Sequence, residues 1–178
     1  KILVEVEAQR LGSKLKPVVH LYNAKKLQLE WAWGTPAMSG DARLVALLPA
    51  DGTYTISLHD AEYAGQSPGH FRLKIGAFDF AEQVFPPVVT KETKSVELIG
   101  STSAKIDVPA VRGHLLPLDW PKVGAWSGPR PFVEVSSRQE FVEPTAPGKP
   151  LELPAGRVGV CGKLSAHGEE DKYRVAVE

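Results

Sequence analysis

Alternation of apolar and polar side chains with period two is the feature that most constrains this chain, and it is clearest between Asp41 and Ile75. Tyr54, Ile56 and Leu58 alternate with Thr53, Thr55 and Ser57, and Phe71, Leu73 and Ile75 alternate with Arg72 and Lys74. That period gives each strand one buried face and one wet face, as in an antiparallel sandwich or barrel. Pro49, Ala50, Asp51 and Gly52 form the turn signal before the central strand, with Gly52 free to take positive φ.

The same texture recurs along the chain. Lys1 to Ala8 reads as a strand with Ile2, Val4, Val6 and Ala8 on one face and Glu5 and Glu7 on the wet face. Val18 to Tyr22 is a short apolar strand, and Leu27, Leu29 and Trp31 alternate with Gln28 and Glu30. After Gly76 the texture changes, with a stiff connection at Phe85, Pro86 and Pro87. Short strands are predicted at Ser95 to Gly100, Ala104 to Val108 and Phe132 to Val135, around an irregular stretch from Val111 to Pro131. A loop from Pro144 to Pro154 precedes a predicted hairpin, Arg157 to Leu164 and Asp171 to Val177, turning at Ser165 to Gly168. With 16 Gly and 15 Pro and no sustained helical period, the chain reads as all-β with no helix beyond about two turns.

The totals exclude several function classes. Lys plus Arg and Asp plus Glu are both 21, so no whole-chain charge favours nucleic acid or an anionic membrane. No apolar run reaches the roughly 18 residues of a membrane span. No signal peptide is visible and the chain starts at Lys1, so a mature or excised piece is expected. Cys161 is the single cysteine, which excludes an intrachain disulfide, and Val158, Val160 and Leu164 around it point to a buried thiol.

Catalytic and metal motifs are missing from the sequence. The five histidines, His20, His59, His70, His114 and His167, show no zinc spacing. His59 and Asp60 are adjacent, a dyad pattern without a placed nucleophile. His20 and His59 lie in strands, where packing or cross-strand hydrogen bonding is the expectation. Glu169, Glu170 and Asp171 form an acidic turn, read either as solvated or as a cation site shared with Asp60 or Glu62. Trp31 and Trp33 fall on one side of a strand and, with Tyr63, suit either packing at an interface or stacking on a sugar ring. Trp120 and Trp126 read as plugs of an irregular segment. No catalytic residue, cofactor or metal is expected.

Several segments together carry a resemblance: Leu11-Gly12-Ser13, Pro17 to Ala24, Asp41 to Leu44, Leu48 to Ile56, Asp60 to Gly65, and Phe71 to Ile75. Residues 1–76 resemble the bacterial pre-peptidase C-terminal (PPC) domain family, of the type in large secreted proteins of planctomycete-like bacteria. The resemblance implies a jelly-roll-like β-sandwich and a secreted or cell-surface setting. Residues 77–137 loosely resemble the small immunoglobulin-like module that often follows. The family's opening hairpin is absent before Lys1, but Val160 to Val175 matches it, so residues 138–178 followed by 1–76 spell nearly one domain. Many relatives carry an acidic cluster after the strand matched by Leu27 to Trp31, and calcium is associated with some of them. Here that position reads Trp31 to Met38 without carboxylates, which puts calcium in doubt.

The resemblance implies a non-catalytic structural or adhesive module, with a carbohydrate- or protein-binding accessory module as the alternative. Residues 157–178 are expected to pair beside Lys1 to Ala8, within the chain, in another copy head to tail, or in a tandem array. The expected strand-completion residues are Ile2, Val4, Val6, Val158, Val160, Leu164, Tyr173, Val175 and Val177. Expected partners are other copies of the chain or adjacent modules, with a glycan as a further candidate; nucleic acid and a membrane span are not expected.

Overall fold

A computed structural model describes residues 1–110, 113–144 and 149–177. Val111 and Arg112 at the head of the expected irregular stretch, residues 145–148 of the expected loop, and Glu178 lie outside the described residues. The protein is all-β, with two three-residue 3-10 turns at Gln9–Leu11 and Pro36–Met38 as its helical segments among the described residues. The chain divides into two compact units, Lys1–Phe80 with Lys122–Pro129, and Ala81–Pro121 with Arg130–Glu178.

The first unit is a sandwich of two three-stranded antiparallel sheets. One has β1 (Ile2–Glu7) at its centre, between β4 (Ala42–Ala46) and β6 (Arg72–Gly76). The other has β2 (Pro17–Tyr22) between β3 (Gln28–Trp33) and β5 (Thr55–Asp60). Val4 and Val6, Val19 and Leu21, and Ala42 and Leu44 fill the space between the sheets and are almost wholly buried. Burial at this level contributes about 1.5–3 kcal/mol for each large aliphatic side chain.

The sandwich is closed on one side and open on the other. On the closed side, Gly34 at the end of β3 bridges Ala42 of β4. A Cβ at Gly34 would stand 2.1 Å from the Gly40 carbonyl oxygen, so only glycine permits this approach. On the open side stand the edge strands β5 and β6. The register puts Ile56 opposite Leu21, and Ile75 opposite Val4, so both side chains point inward. Yet Ile56, Leu58 and Leu73 are only half-buried, and Ile75 is 49% exposed.

Two sequence expectations fail in this unit, for physical reasons. Glu5 and Glu7 were expected in water and are buried at 0% and 6% exposure. Arg10 pairs with Glu5, Glu7 and Asp41, Arg43 with Glu5, and Lys74 with Glu7. The strap Lys122–Pro129 returns to this unit, where Ser127 Oγ accepts from Lys74, the Ser127 N–H donates to the Asp79 carbonyl and the Asp79 N–H donates to the Ala125 carbonyl. In β3, Leu29 and Trp31 were expected on one face. A register shift between Leu21 and Tyr22 leaves two steps of β3 against one of β2, so Leu29 turns to the core while Trp31 faces out.

The second unit holds one antiparallel sheet ordered β10 (Ser103–Asp107), β9 (Ser95–Gly100), β7 (Ala81–Phe85). A second sheet is ordered β11 (Leu115–Pro117), β12 (Phe132–Val135), β8 (Val88–Val89). Val89, Val96, Leu98, Leu116, Leu118 and Val133 are its most buried aliphatics. The expected C-terminal hairpin does not form. Instead β15 (Val158–Cys161) runs parallel to β13 (Gln139–Val142), and β16 (Tyr173–Val175) runs parallel to β14 (Leu151–Leu153).

Candidate functional site

Two features of the first unit stand out: the outer face of β3-β2-β5 and the open seam. On the outer face a row of rings crosses the sheet. Trp31 on β3 lies 6.1 Å from His20 on β2, with planes 14° apart. His20 lies 5.3 Å from His59 on β5, planes 19° apart, and His59 lies 4.3 Å from Tyr63, planes 9° apart. Trp33 meets Trp31 edge-on at 5.5 Å, and Tyr22 lies 6.0 Å from His20. Trp31, Trp33 and Tyr63 are 47%, 61% and 77% exposed. The structure thus brings all three sequence-selected aromatics to one face.

Hydrogen bonds order this row. His20 Nε2 and His59 Nε2 are 3.1 Å apart, His20 Nδ1 is 2.9 Å from Gln28 Oε1, and His59 Nδ1 is 3.0 Å from the Asp60 carbonyl oxygen. Tyr63 Oη stands 3.2 Å from His59 Nε2. His59 therefore touches the backbone of Asp60 and not its carboxylate, so the adjacent pair is no dyad. The Asp60 carboxylate instead accepts from the backbone N–H groups of Lys16, Glu62 and Ala64. The Lys16 hydrogen bond, with the others, holds its pKa below the usual aspartate value. It fixes the loop that carries Tyr63.

The strand-completion residues fall into two groups. Ile2, Val4 and Val6 lie in β1, whose two edges are both hydrogen-bonded, to β4 and to β6. No further strand can pair beside β1, which corrects the expectation for Lys1 to Ala8; the strand edges of the seam without a partner among the described residues belong to β5 and β6. Val158 and Val160 are half-buried in β15. Leu164, Tyr173, Val175 and Val177 are 72%, 42%, 56% and 89% exposed.

The remaining candidates are structural. Cys161 is buried, and desolvation pushes its thiol above the ordinary range, away from reactive thiolate chemistry. Glu169 Oε2 accepts from the N–H groups of Ser165 and Ala166 at 2.5 and 2.7 Å, closing the acidic turn on itself. Trp126 Nε1 donates to the Val123 carbonyl at 3.0 Å within the strap. The second unit has an open cleft of about 630 Å³ lined by Phe85, Ile99, Lys163 and Leu164 among others. There Lys163 Nζ sits 4.1 Å over the Phe85 ring and 3.3 Å from Glu97, so its charge is already matched. Among the described residues, no group of three His, Cys, Asp or Glu side chains is placed to hold a metal ion, and no helix is long and apolar enough to cross a membrane.

Comparison with protein-family models, with curated proteins and with solved structures gave no match.

Proposed function

We propose that the chain is a non-catalytic structural or adhesive module of the PPC-like type, belonging to a secreted or cell-surface bacterial protein. Its sandwich takes up strands from a neighbouring copy, or from the adjacent module of a longer chain, in head-to-tail order. The observation that carries this reading is the seam between β5 and β6. There inward-facing Ile56, Leu58, Leu73 and Ile75 remain partly in water beside two strand edges that have no partner strand among the described residues. Such a seam recruits a strand, because pairing satisfies backbone groups and covers apolar surface together.

The C-terminal region supplies a donor of matching chemistry. β13 with β15, and β14 with β16, are isolated parallel pairs, although parallel pairing is normally found buried in larger sheets. Tyr173 and Val175 of β16, with Leu164 and Val177 outside the strands, are exposed and lack the cover that a completed sandwich would give. A head-to-tail contact of this kind does not close on itself and builds an array.

The test is light scattering over a range of concentrations, on the full chain, on a chain lacking residues 157–178, and on Ile75→Lys. Assembly should be lost in both altered chains while the circular dichroism of each remains β-type. Assembly unchanged in both, or a full chain that stays monomeric at every concentration, overturns the reading of separate chains joined head to tail. A joined tandem of two copies that is no more stable than one overturns the array reading as well.

The ring row favours a second reading, an accessory module that binds carbohydrate or protein through Trp31, Trp33 and Tyr63. Exposed indole and phenol faces set beside polar groups suit sugar stacking. Loss of polysaccharide retention in Trp31→Ala, with assembly intact, would favour it.

A further inference from the structure

The imidazole pair in the ring row turns two Nε2 atoms toward each other. The carbonyl of Asp60 only accepts, so His59 Nδ1, 3.0 Å away, carries a hydrogen, and His59 Nε2 in the neutral ring is a bare lone pair. With the Gln28 amide oxygen oriented toward it at 2.9 Å, His20 Nδ1 carries the hydrogen and His20 Nε2 is bare. These two bare nitrogens face one another at 3.1 Å. Lone pairs at that distance repel unless a proton or a metal ion is shared between them. The carbonyl oxygens on the far nitrogens are the outer contacts that hold metal-binding imidazoles in the ligating tautomer.

Tyr63 adds an oxygen. Its Oη is 3.2 Å from His59 Nε2, and its backbone takes φ of 52°, a left-handed conformation that a tyrosine seldom adopts. We propose that His20 Nε2, His59 Nε2 and Tyr63 Oη bind a late first-row divalent ion, Ni²⁺, Cu²⁺ or Zn²⁺, on the outer face of β3-β2-β5. With metal–nitrogen bonds of about 2.0–2.1 Å, the 3.1 Å separation closes an angle of about 100° at the ion. The rings now meet nearly end-on, with centroids 5.3 Å apart, so each swings toward solvent to converge. Both rings are partly exposed, and water fills the open coordination positions. Imidazole donors select these ions over Ca²⁺ and Mg²⁺, which want oxygen. Because His20 is on β2 and His59 on the edge strand β5, the ion staples the edge strand to its sheet.

The experiment is calorimetric titration of the chelator-stripped full chain with Ni²⁺ and with Zn²⁺, paired with thermal melting. One ion should bind per chain and the melting temperature should rise. His20→Ala and His59→Ala should each lose more than about tenfold in affinity, and Gln28→Ala about tenfold through the outer contact. A readout that needs no variant is the ¹⁵N spectrum of the imidazoles in the unaltered chain, where Zn²⁺ should shift the Nε2 resonances of His20 and His59. No binding at 100-fold excess, which would mean a proton alone bridges the pair, overturns the proposal. So does binding that survives both substitutions, that shifts only His70, His114 or His167, or that Mg²⁺ reproduces equally.

Discussion

The two outer faces of the first sandwich invert the usual distribution of side chains. The outer face of β4-β1-β6 is charged and buried: Glu5 is 0% exposed and lies within reach of Arg10, Arg43 and Lys74. The outer face of β3-β2-β5 is aromatic and wet, with Trp33 61% and Tyr63 77% exposed. Polarity therefore does not mark the functional face here. The charges are paired inside a buried network, whereas the rings are ordered against each other with their surfaces open to solvent. A matched buried network is a structural feature, and an ordered exposed one is available to a partner.

The largest effect should come from breaking the buried network. Glu5→Ala leaves Arg43 and Arg10 short of their anion, and should destabilise by about 3–5 kcal/mol in urea unfolding. A loss below about 1 kcal/mol would mean that water reaches this face and that the contrast between the faces is false.

Next come the two sides of the core. Leu21→Ala, fully buried, should lose about 2–5 kcal/mol. Ile56→Ala faces the same core from the open seam and should lose only about 1–2 kcal/mol in the isolated chain. Thr55→Ala, on the opposite side of β5, should change stability by less than either. If an added strand fills the seam, the Ile56 loss should grow toward the Leu21 value.

The charged face also sets an acid response. Burial alone would raise the Glu7 pKa, but the Lys74 hydrogen bond and the charges of Arg10, Lys74 and Arg72 outweigh it and hold the pKa below the ordinary 4.5. A depressed carboxylate stabilises the fold fully above its unfolded pKa and loses that contribution as pH falls through the folded one. Stability should therefore drop below about pH 4.5, and Glu7→Gln should flatten that part of the profile. A Glu7→Gln profile as steep as the unaltered chain's would place the acid response elsewhere.

How much of this was legible from the sequence depends on separation along the chain. The strands around Val4, Val19 and Ile56 were readable because period two is local. The burial of Glu5 was not, because its cover comes from Arg43 and Lys74 on neighbouring strands and from a strap near Ser127. Alternation told which residues share a face and could not tell which face is roofed. The strand partners of β15 and β16 were missed for a related reason: the tight turn at Ser165 to Gly168 suggested a hairpin, whereas each strand pairs parallel with an earlier one. Trp31, Trp33 and Tyr63 were legible as a group. The pairing of His20 with His59 was not, since 39 residues separate them and only the β2–β5 register brings them together.

The smallest effect should come from the aromatic face. Trp31 is 47% exposed, and its ring contacts are to His20 and Trp33 on the same outer surface. Trp31→Ala removes no core volume, so unfolding in urea should shift by no more than about 0.5 kcal/mol, although the truncated ring is among the largest in the chain. The comparison with Glu5→Ala is then sharp: a charged substitution on one outer face undermines the fold, and an aromatic one on the other leaves it standing. Trp33→Ala should behave in the same way, because its 61% exposure exceeds that of Trp31. The intrinsic fluorescence of both variants should report loss of a solvent-exposed indole, with less red-edge emission remaining. If Trp31→Ala instead loses about 2 kcal/mol or more, the size of a core truncation, that ring is covered in the folded protein in solution. The aromatic face would then be a buried interface and not an open binding surface.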